Sequence, residues 1–291
     1  MIPYSTQTIE YDDLEAVRDV LTSPFLTCGP KITEFEDKVC TYTGANFAVG
    51  VNSCTSALHL AMIALGVSKG DRVFVSAISF VASSNCARYQ GADVDFIDVD
   101  KYTGNLDVDS LEQMLIDADK EHRLPKVVVA VHLSGRAVDL ERIAKLKAKY
   151  CFYLIEDAAH AFGAIYHDSM IGSCKFSDIT VLSFHPVKII TTAEGGMCLT
   201  NNENLYKLMR KFSTHGIEHN LDALENKDMP AYYYEMQDLG FNYRLSDLQA
   251  ALGISQLAKV DELLRKRREI AHDYQEILGD NENLTLPVAD T

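Results

Sequence analysis

Short apolar runs alternate with amphipathic stretches along the chain from about residue 46 to residue 155. The runs have the length of strands, and the stretches between them repeat apolar residues at the spacing of one helix face. This alternation predicts an α/β fold, in which βαβ units form a mainly parallel sheet flanked by helices. The predicted strands are 47–51, 73–75, 94–99, 127–131 and 152–155, and the predicted helices lie near 56–66, 81–90, 107–118 and 139–149.

The alternation changes in the second half of the chain. Two strand-like runs, 180–184 and 196–200, follow each other without a helical pattern between them, so part of the sheet is expected to be antiparallel. Residues 216–240 contain Pro230 and show no regular pattern.

A long helical pattern then extends from Leu245 to about Leu278. It predicts one helix that connects a large domain to a smaller one. We therefore expect a large domain over residues 1–244, with an N-terminal arm, and a bridging helix with the start of a second domain over 245–291.

The composition is that of a globular protein with a sizeable core. Hydrophobic residues make up 47% of the 291 residues, and the formal net charge of −15 argues against a nucleic-acid or anionic membrane partner. The seven cysteines form no Cys-x-x-Cys pair, and His215 and His219 lack a metal-binding motif, so neither disulfides nor a metal site is expected. Residues 1–5 show no signal peptide, which favours a cytoplasmic protein.

Lys188 and Asp157 are the residues whose surroundings best indicate chemistry. Asp157 ends an apolar strand, where a carboxylate of an α/β sheet points into the usual ligand crevice and requires a partner. Lys188 follows the strand-like run 180–184 and precedes Gly195 and Gly196. A lysine amine and a carboxylate are the groups that pyridoxal phosphate most requires, although a solvated loop lysine is the alternative.

Two further segments suit either ligand binding or a purely structural role. Thr55 and Ser56 lie where a strand meets a helix start, which suits either a phosphate site or simple N-capping. Phe80 follows the next strand, and its ring suits either stacking on a cofactor or the core.

Several motifs together resemble the fold-type I, pyridoxal phosphate-dependent sugar aminotransferases of the DegT/DnrJ/EryC1/StrS family. Within the family, the run Ser-Phe-His-Pro-Val-Lys that ends at Lys188, the histidine at position 160 and the tract 232–240 are most similar to the UDP-4-amino-4,6-dideoxy-N-acetyl-beta-L-altrosamine transaminase (pseudaminic acid) branch. The motifs, almost end to end, are Ile2-Pro3-Tyr4, Leu26-Thr27-Cys28-Gly29-Pro30, 52–58, 156–160, 183–196 and 240–245.

The resemblance implies catalytic and ring-binding roles. Lys188 would hold the cofactor as a Schiff base and move the proton between the cofactor carbon and C4 of the sugar. Asp157 would keep the pyridine nitrogen protonated, His160 would lie near the phenolic oxygen, and Phe80 would stack on the ring.

The resemblance also implies roles at the edge of the site. Thr55, Ser56 and Ser183 would hold the cofactor phosphate, and Asn242 would reach that phosphate from the other subunit of a homodimer with shared sites. His185 would line the substrate side.

Three departures from the family pattern stand out. Ser5 and Ala193 replace glycines, and Ala193 is expected to be strained if the backbone there has positive φ. The chain ends at Thr291, so the family's C-terminal domain is expected to be truncated.

The function expected from the resemblance is transfer of an amino group, with glutamate as donor, to C4 of a UDP-linked 4-keto-6-deoxy sugar. One alternative is another nucleotide-sugar aminotransferase of the family; a dehydratase is disfavoured because those relatives replace the lysine found at Lys188. Another alternative is a non-catalytic protein that binds pyridoxal phosphate or a partner.

Overall fold

A seven-stranded sheet with helices on both faces lies at the centre of the protein, whose computed structural model describes residues 5–287. The strands are β1 (Phe47–Val51), β2 (Arg72–Ser76), β3 (Asp93–Ile97), β4 (Val127–Val131), β5 (Tyr153–Asp157), β6 (Ile165–Tyr166), β7 (Ser169–Met170), β8 (Ile179–Ser183), β9 (Gly196–Thr200), β10 (Ile217–Glu218) and β11 (Glu235–Met236). The helices are α1 (Tyr11–Leu21), α2 (Pro30–Thr43), α3 (Cys54–Ala64), α4 (Ala82–Tyr89), α5 (Val108–Lys120), α6 (Leu140–Tyr150), α7 (Glu203–Ser213), α8 (Asp247–Leu257) and α9 (Val260–Leu278).

The order of strands in the large sheet is β1-β9-β8-β5-β4-β2-β3. Strand β9 is antiparallel to both of its neighbours, and the other pairs are parallel. The predicted parallel sheet with an antiparallel part is therefore confirmed. One core cluster joins the sheet to α2, α5, α6 and α8, and the other joins it to α3, α4 and α7.

Helices α1 and α2 have no counterpart in the predicted pattern. The motif around Gly29 explains how α2 begins, because the Gly29 N–H donates to Asp247 Oδ2 at 2.6 Å and the Lys31 N–H donates to Asp247 Oδ1 at 2.9 Å. A carboxylate at a helix N-terminus is favourable. A Cβ at Gly29 would lie 2.6 Å from Asp247 Oδ1, so this close approach requires glycine. The motif thus joins α2 to α8.

The single helix predicted from Leu245 to Leu278 is wrong, because α8 ends at Leu257 and α9 begins at Val260. At the break, Lys259 has φ −109° and ψ 3°, and its ammonium lies 2.8 Å from Asp13 Oδ2 and 2.9 Å from Asp12 Oδ1 on α1. The apolar spacing continues across the break, which is why the pattern does not reveal it.

Helix α8 packs on α1 and α2. The division into domains at residue 244 stays a prediction, and Ile2-Pro3-Tyr4 and Thr291 lie outside the described residues. Within residues 5–287, no helix has both the length and the apolar character needed to cross a membrane.

Candidate active site

The predicted site residues lie on loops at one edge of the large sheet. Strands β2, β4, β5 and β8 are parallel, so the segments that follow them emerge at the same edge. Strand β1 has the same direction as β8, because both are antiparallel to β9, and α3 therefore begins at this edge too. The topology brings together Phe80, Asp157, His160, Lys188 and the first turn of α3.

Asp157, at the end of β5, is 5% exposed and accepts hydrogen bonds on both carboxylate oxygens. The Ser83 hydroxyl donates to Oδ2 at 2.6 Å, and the Ala159 N–H donates to Oδ1 at 3.2 Å. The Ser79 hydroxyl lies 2.6 Å from the Ser83 hydroxyl and donates to it. Sequence analysis missed both serines, although their spacing of four at a helix start was a usable indication that they share one side.

Lys188 lies in the loop between β8 and β9, which is closed at its base. The Phe184 N–H donates to the Gly195 carbonyl, and the Thr192 N–H donates to the Phe184 carbonyl, both at 3.0 Å. Further along the loop, the Arg267 guanidinium of α9 donates to the backbone carbonyl of Lys188 at 3.0 Å. The lysine is therefore presented from a fixed backbone.

Burial lowers the pKa of Lys188 from its ordinary value of 10.5, while neighbouring Cys54 and Asp157 partly oppose this shift. A lower pKa leaves a larger fraction of the amine unprotonated and able to attack a carbonyl carbon. The electrostatic influence of Asp157 on Lys188 also means that the two predicted groups share one site.

The end of the lysine loop contains a glycine that the packing requires and one departure from the family pattern. A Cβ at Gly196 would lie 2.5 Å from the Cys54 backbone nitrogen, so β9 packs directly on the start of α3. Ala193 has φ +66°, so the strain expected there is present and costs about 1–2 kcal/mol.

The first turn of α3 satisfies the capping interpretation and still presents donors. Ser53 is the N-cap, since its hydroxyl accepts the Ser56 N–H at 3.1 Å, and the Ser56 hydroxyl donates to Asn52 Oδ1 at 2.7 Å. The N–H groups of Cys54 and Thr55 belong to the first turn, where a helix has no backbone acceptor. Capping and anion binding are thus compatible at this turn, and Ser183 is buried at the end of neighbouring β8.

His160 follows β5 by three residues and contacts the loop after β4. Its Nδ1 accepts the Ser134 N–H at 3.3 Å. Burial lowers the pKa of His160 from 6.5, and the charge of Lys188 lowers it further, while Asp157 opposes the shift. Both of these lowering effects favour the neutral form of the ring.

Four predicted residues lie at the surface of this region, namely His160, described above, and Phe80, His185 and Asn242. Phe80 is 74% exposed, which excludes the core alternative for its ring. His185 is exposed, with Nε2 4.0 Å from Glu194 Oε1. Asn242 is also exposed, and its neighbours Phe241 and Tyr243 pack on buried His59, which bonds the Tyr243 hydroxyl at 3.0 Å. The segment around Asn242 is thus anchored while the Asn242 side chain faces outward.

A cavity of about 690 Å³ lies apart from these residues, at the first turns of α5 and α6. Its acidic residues Asp107 and Asp139 accept the N–H groups of Ser110 and Arg142 as helix caps. We therefore assign these two carboxylates a structural role.

A sequence profile of the DegT/DnrJ/EryC1/StrS aminotransferase family matches residues 7–291. The chain belongs to this family. It is 42% identical over 274 residues to the UDP-4-amino-4,6-dideoxy-N-acetyl-beta-L-altrosamine transaminase of Campylobacter jejuni, a match that covers 94% of this chain and 69% of that protein. The predicted family and fold class are confirmed.

Two solved structures illustrate the likeness. Helicobacter pylori PseC, an aminotransferase involved in the biosynthesis of pseudoaminic acid, has a TM-score of 0.86 and 34% identity, covering 96% of this chain and 71% of that one. A PLP form of Spr1654 from Streptococcus pneumoniae has a TM-score of 0.84 and 29% identity, covering 96% and 72%. The second of these proteins is described as a putative sugar aminotransferase.

Proposed function

We propose that this chain uses pyridoxal 5'-phosphate to transfer an amino group from glutamate to C4 of a UDP-linked 4-keto-6-deoxy sugar. The observation that carries the proposal is the convergence of Lys188, Asp157 and the start of α3 at one edge of the sheet. An amine of lowered pKa, a buried carboxylate and a helix N-terminus match the aldehyde, ring nitrogen and phosphate of this cofactor.

When bound, pyridoxal phosphate supplies an aldehyde that condenses with amines and a ring that withdraws electrons. Lys188 supplies the amine for that condensation and afterwards a base that moves a proton to or from the sugar C4 carbon. Asp157 holds a proton on the ring nitrogen through charge, and Ser83 fixes the orientation of its carboxylate.

The remaining predicted residues orient the ligand. Thr55 and Ser56 with Ser183 hold the phosphate at the start of α3, where the helix dipole favours an anion. Phe80 would stack on the ring, because its exposed side chain is available for such a contact. His160 would donate a hydrogen bond to the cofactor, and His185 would contact the substrate.

The substrate assignment is supported by the transaminase from C. jejuni, whose name refers to a UDP-linked 4-amino-4,6-dideoxy sugar. PseC, which acts in pseudoaminic acid biosynthesis, supports the same pathway. We propose that the protein serves in amino-sugar biosynthesis of this type and that glutamate is the donor. A different nucleotide sugar on the same scaffold is the second candidate.

We further propose a homodimer in which Asn242 completes the partner's phosphate site. Asn242 is exposed on an anchored segment, which supports this arrangement. Exposed apolar side chains in the preceding tract 232–240 support it too. Tyr232 is 83% exposed and Leu239 is 80% exposed, and burial of such side chains between subunits is favourable.

The test is turnover by the purified protein reconstituted with pyridoxal phosphate. We expect a visible absorption band that glutamate removes, followed by formation of a UDP-4-amino sugar detected by mass spectrometry. A band without amino transfer to any UDP-keto sugar would favour the non-catalytic alternative. Transfer only to another nucleotide sugar would favour the second candidate.

A further inference from the structure

The loop of residues 132–139, between β4 and α6, lies with its backbone against His160. Ser134 has φ 55° and ψ 19°, and Gly135 has φ 90°, so two consecutive residues adopt the left-handed conformation. This geometry directs the Ser134 N–H at His160 Nδ1, at 3.3 Å. A Cβ at Gly135 would lie 2.9 Å from the His160 carbonyl oxygen. The loop and His160 therefore fit together at two points.

Buried His132 holds this loop in place. Its backbone N–H donates to the Asp157 backbone carbonyl at 3.1 Å, and its ring Nδ1 accepts the Val138 N–H at 3.2 Å. Its Nε2 then carries the proton and donates to Glu156 Oε2 at 2.9 Å. The loop is thus attached to the last two residues of β5, the strand that also leads to His160.

A ring nitrogen that accepts an N–H bond directs its lone pair at the donor and carries no proton of its own. We infer that the backbone of Ser134 fixes His160 as the Nε2–H tautomer, and that His160 serves the site as a neutral hydrogen-bond donor and not as a general base. The strained φ of Ser134 is the cost of aiming that N–H.

Protonation of Nδ1 would place two N–H groups against each other across 3.3 Å. This contact is unfavourable, and moving the 132–139 loop to relieve it would break the hydrogen bonds that His132 makes with Asp157 and Val138. The charge of Lys188 acts in the same direction, whereas Asp157 opposes it. Nε2–H is therefore left to donate to an oxygen of whatever ligand binds beside Asp157.

This inference rests on the proposed function only for the identity of that oxygen, which would belong to the cofactor or substrate. The tautomer itself is a property of the free protein. It is measurable after the cofactor has been removed, so failure of the inference and failure of the proposed function give different results.

The first experiment is nitrogen NMR of the cofactor-free protein labelled with 15N-histidine, with His160 assigned by its loss in His160→Gln. We expect the Nε2–H tautomer at pH 7. An Nδ1–H tautomer or a doubly protonated ring at that pH would overturn the inference.

The second experiment tests the role of the loop with two glycine substitutions of equal backbone cost. Gly135→Ala places a Cβ against the His160 carbonyl, whereas Gly70→Ala, at φ 96°, has nothing within 4 Å of its new Cβ. We expect a mixture of tautomers for His160 in Gly135→Ala and an unchanged spectrum in Gly70→Ala. An unchanged tautomer in folded Gly135→Ala would contradict the role given to the loop.

The third experiment compares His160→Gln with His160→Leu. A glutamine retains an acceptor for the Ser134 N–H and a donor for the ligand, whereas leucine retains neither. We expect affinity for pyridoxal phosphate to stay within about threefold in the first variant and to fall by about tenfold in the second. Equal losses in both would overturn the donor role.

Discussion

Arg267 on α9 donates a hydrogen bond of 3.0 Å to the backbone carbonyl of Lys188. The residue that carries the proposed chemistry is thus fixed by a helix distant in sequence. The first turns of α9 pack on the core through Val260, Leu263 and Leu264, whereas Ile270, Tyr274 and Ile277 further along are more than half exposed. Arg267 therefore connects α9 to the backbone of the active-site lysine.

We predict that Arg267→Ala lowers kcat by roughly tenfold, because small displacements of a reacting group are costly. The free energy of unfolding should change by less than about 1 kcal/mol, because the arginine is exposed. Arg265→Ala is the matched control, since Arg265 on the same helix pairs with Glu269 at 2.5 Å. Equal kcat in the two variants would show that the contact with Lys188 does not position it.

The second prediction concerns Lys188→Met. Turnover should be lost, and borohydride should no longer fix the cofactor to the peptide that contains residue 188. The cofactor-free variant should also be more stable than the wild type, because burial of the lysine charge lowers its pKa and disfavours the folded state.

The gain in stability of Lys188→Met over the wild type should decrease as the pH rises. Below the folded pKa, Lys188 is charged in both states, and the gain is complete. As the pH rises through the folded pKa towards 10.5, the wild-type protein releases the proton on folding, and the gain shrinks. Denaturant unfolding at several pH values measures it. Lys145→Met, at an exposed position of α6, should show no such trend.

Much of the site could be predicted because it depends on order along the chain. Asp157 closes an apolar run, and parallel strands bring their ends together, so its place at the ligand edge follows from pattern alone. Ser134 and Arg267 could not be predicted. Their contacts with His160 and Lys188 depend on loop conformation or on packing between distant segments, which residue type and spacing do not encode.

The same reason separates the predicted from the unpredicted parts of the fold. The βαβ region has strong periodicity, and its strands were located to within a few residues. At the break between α8 and α9, Lys259 pairs with Asp12 and Asp13, more than 240 positions away in sequence. Local pattern continues through such a break, because apolar spacing is retained on both sides.

The third prediction concerns Ala193, whose φ of +66° is strained. Ala193→Gly should relieve about 1–2 kcal/mol of strain and lose about 0.5–1 kcal/mol to the added entropy of the unfolded chain. We expect a net stabilisation of about 0.5–1 kcal/mol in denaturant unfolding. Ala271→Gly, at an exposed position inside α9, should instead destabilise by about 1 kcal/mol. A loss of stability in both variants would exclude strain at Ala193.

The fourth prediction ranks two residues around the ring nitrogen. Asp157→Asn should slow single-turnover reaction with glutamate by about 10²–10³-fold, because an amide cannot hold a proton on that nitrogen by charge. Ser83→Ala removes only one hydrogen bond to the carboxylate and should cost about tenfold. Ser84→Ala, whose hydroxyl donates to the Val81 carbonyl on the same helix, is the control. A normal rate in Asp157→Asn would make that carboxylate structural.

The last prediction tests the shared site. If Asn242 serves the partner's phosphate, a hybrid of Lys188→Ala and Asn242→Ala chains contains one site with both lesions and one site with neither. Each hybrid dimer should therefore recover up to about half the activity of a wild-type dimer, whereas each variant alone has none or little. Subunit exchange must be shown independently by mass spectrometry of differently tagged chains. Exchange without recovery would mean that each chain uses its own Asn242 or does not use it. In that case the exposed side chains of Asn242, Tyr232 and Leu239 would require another partner.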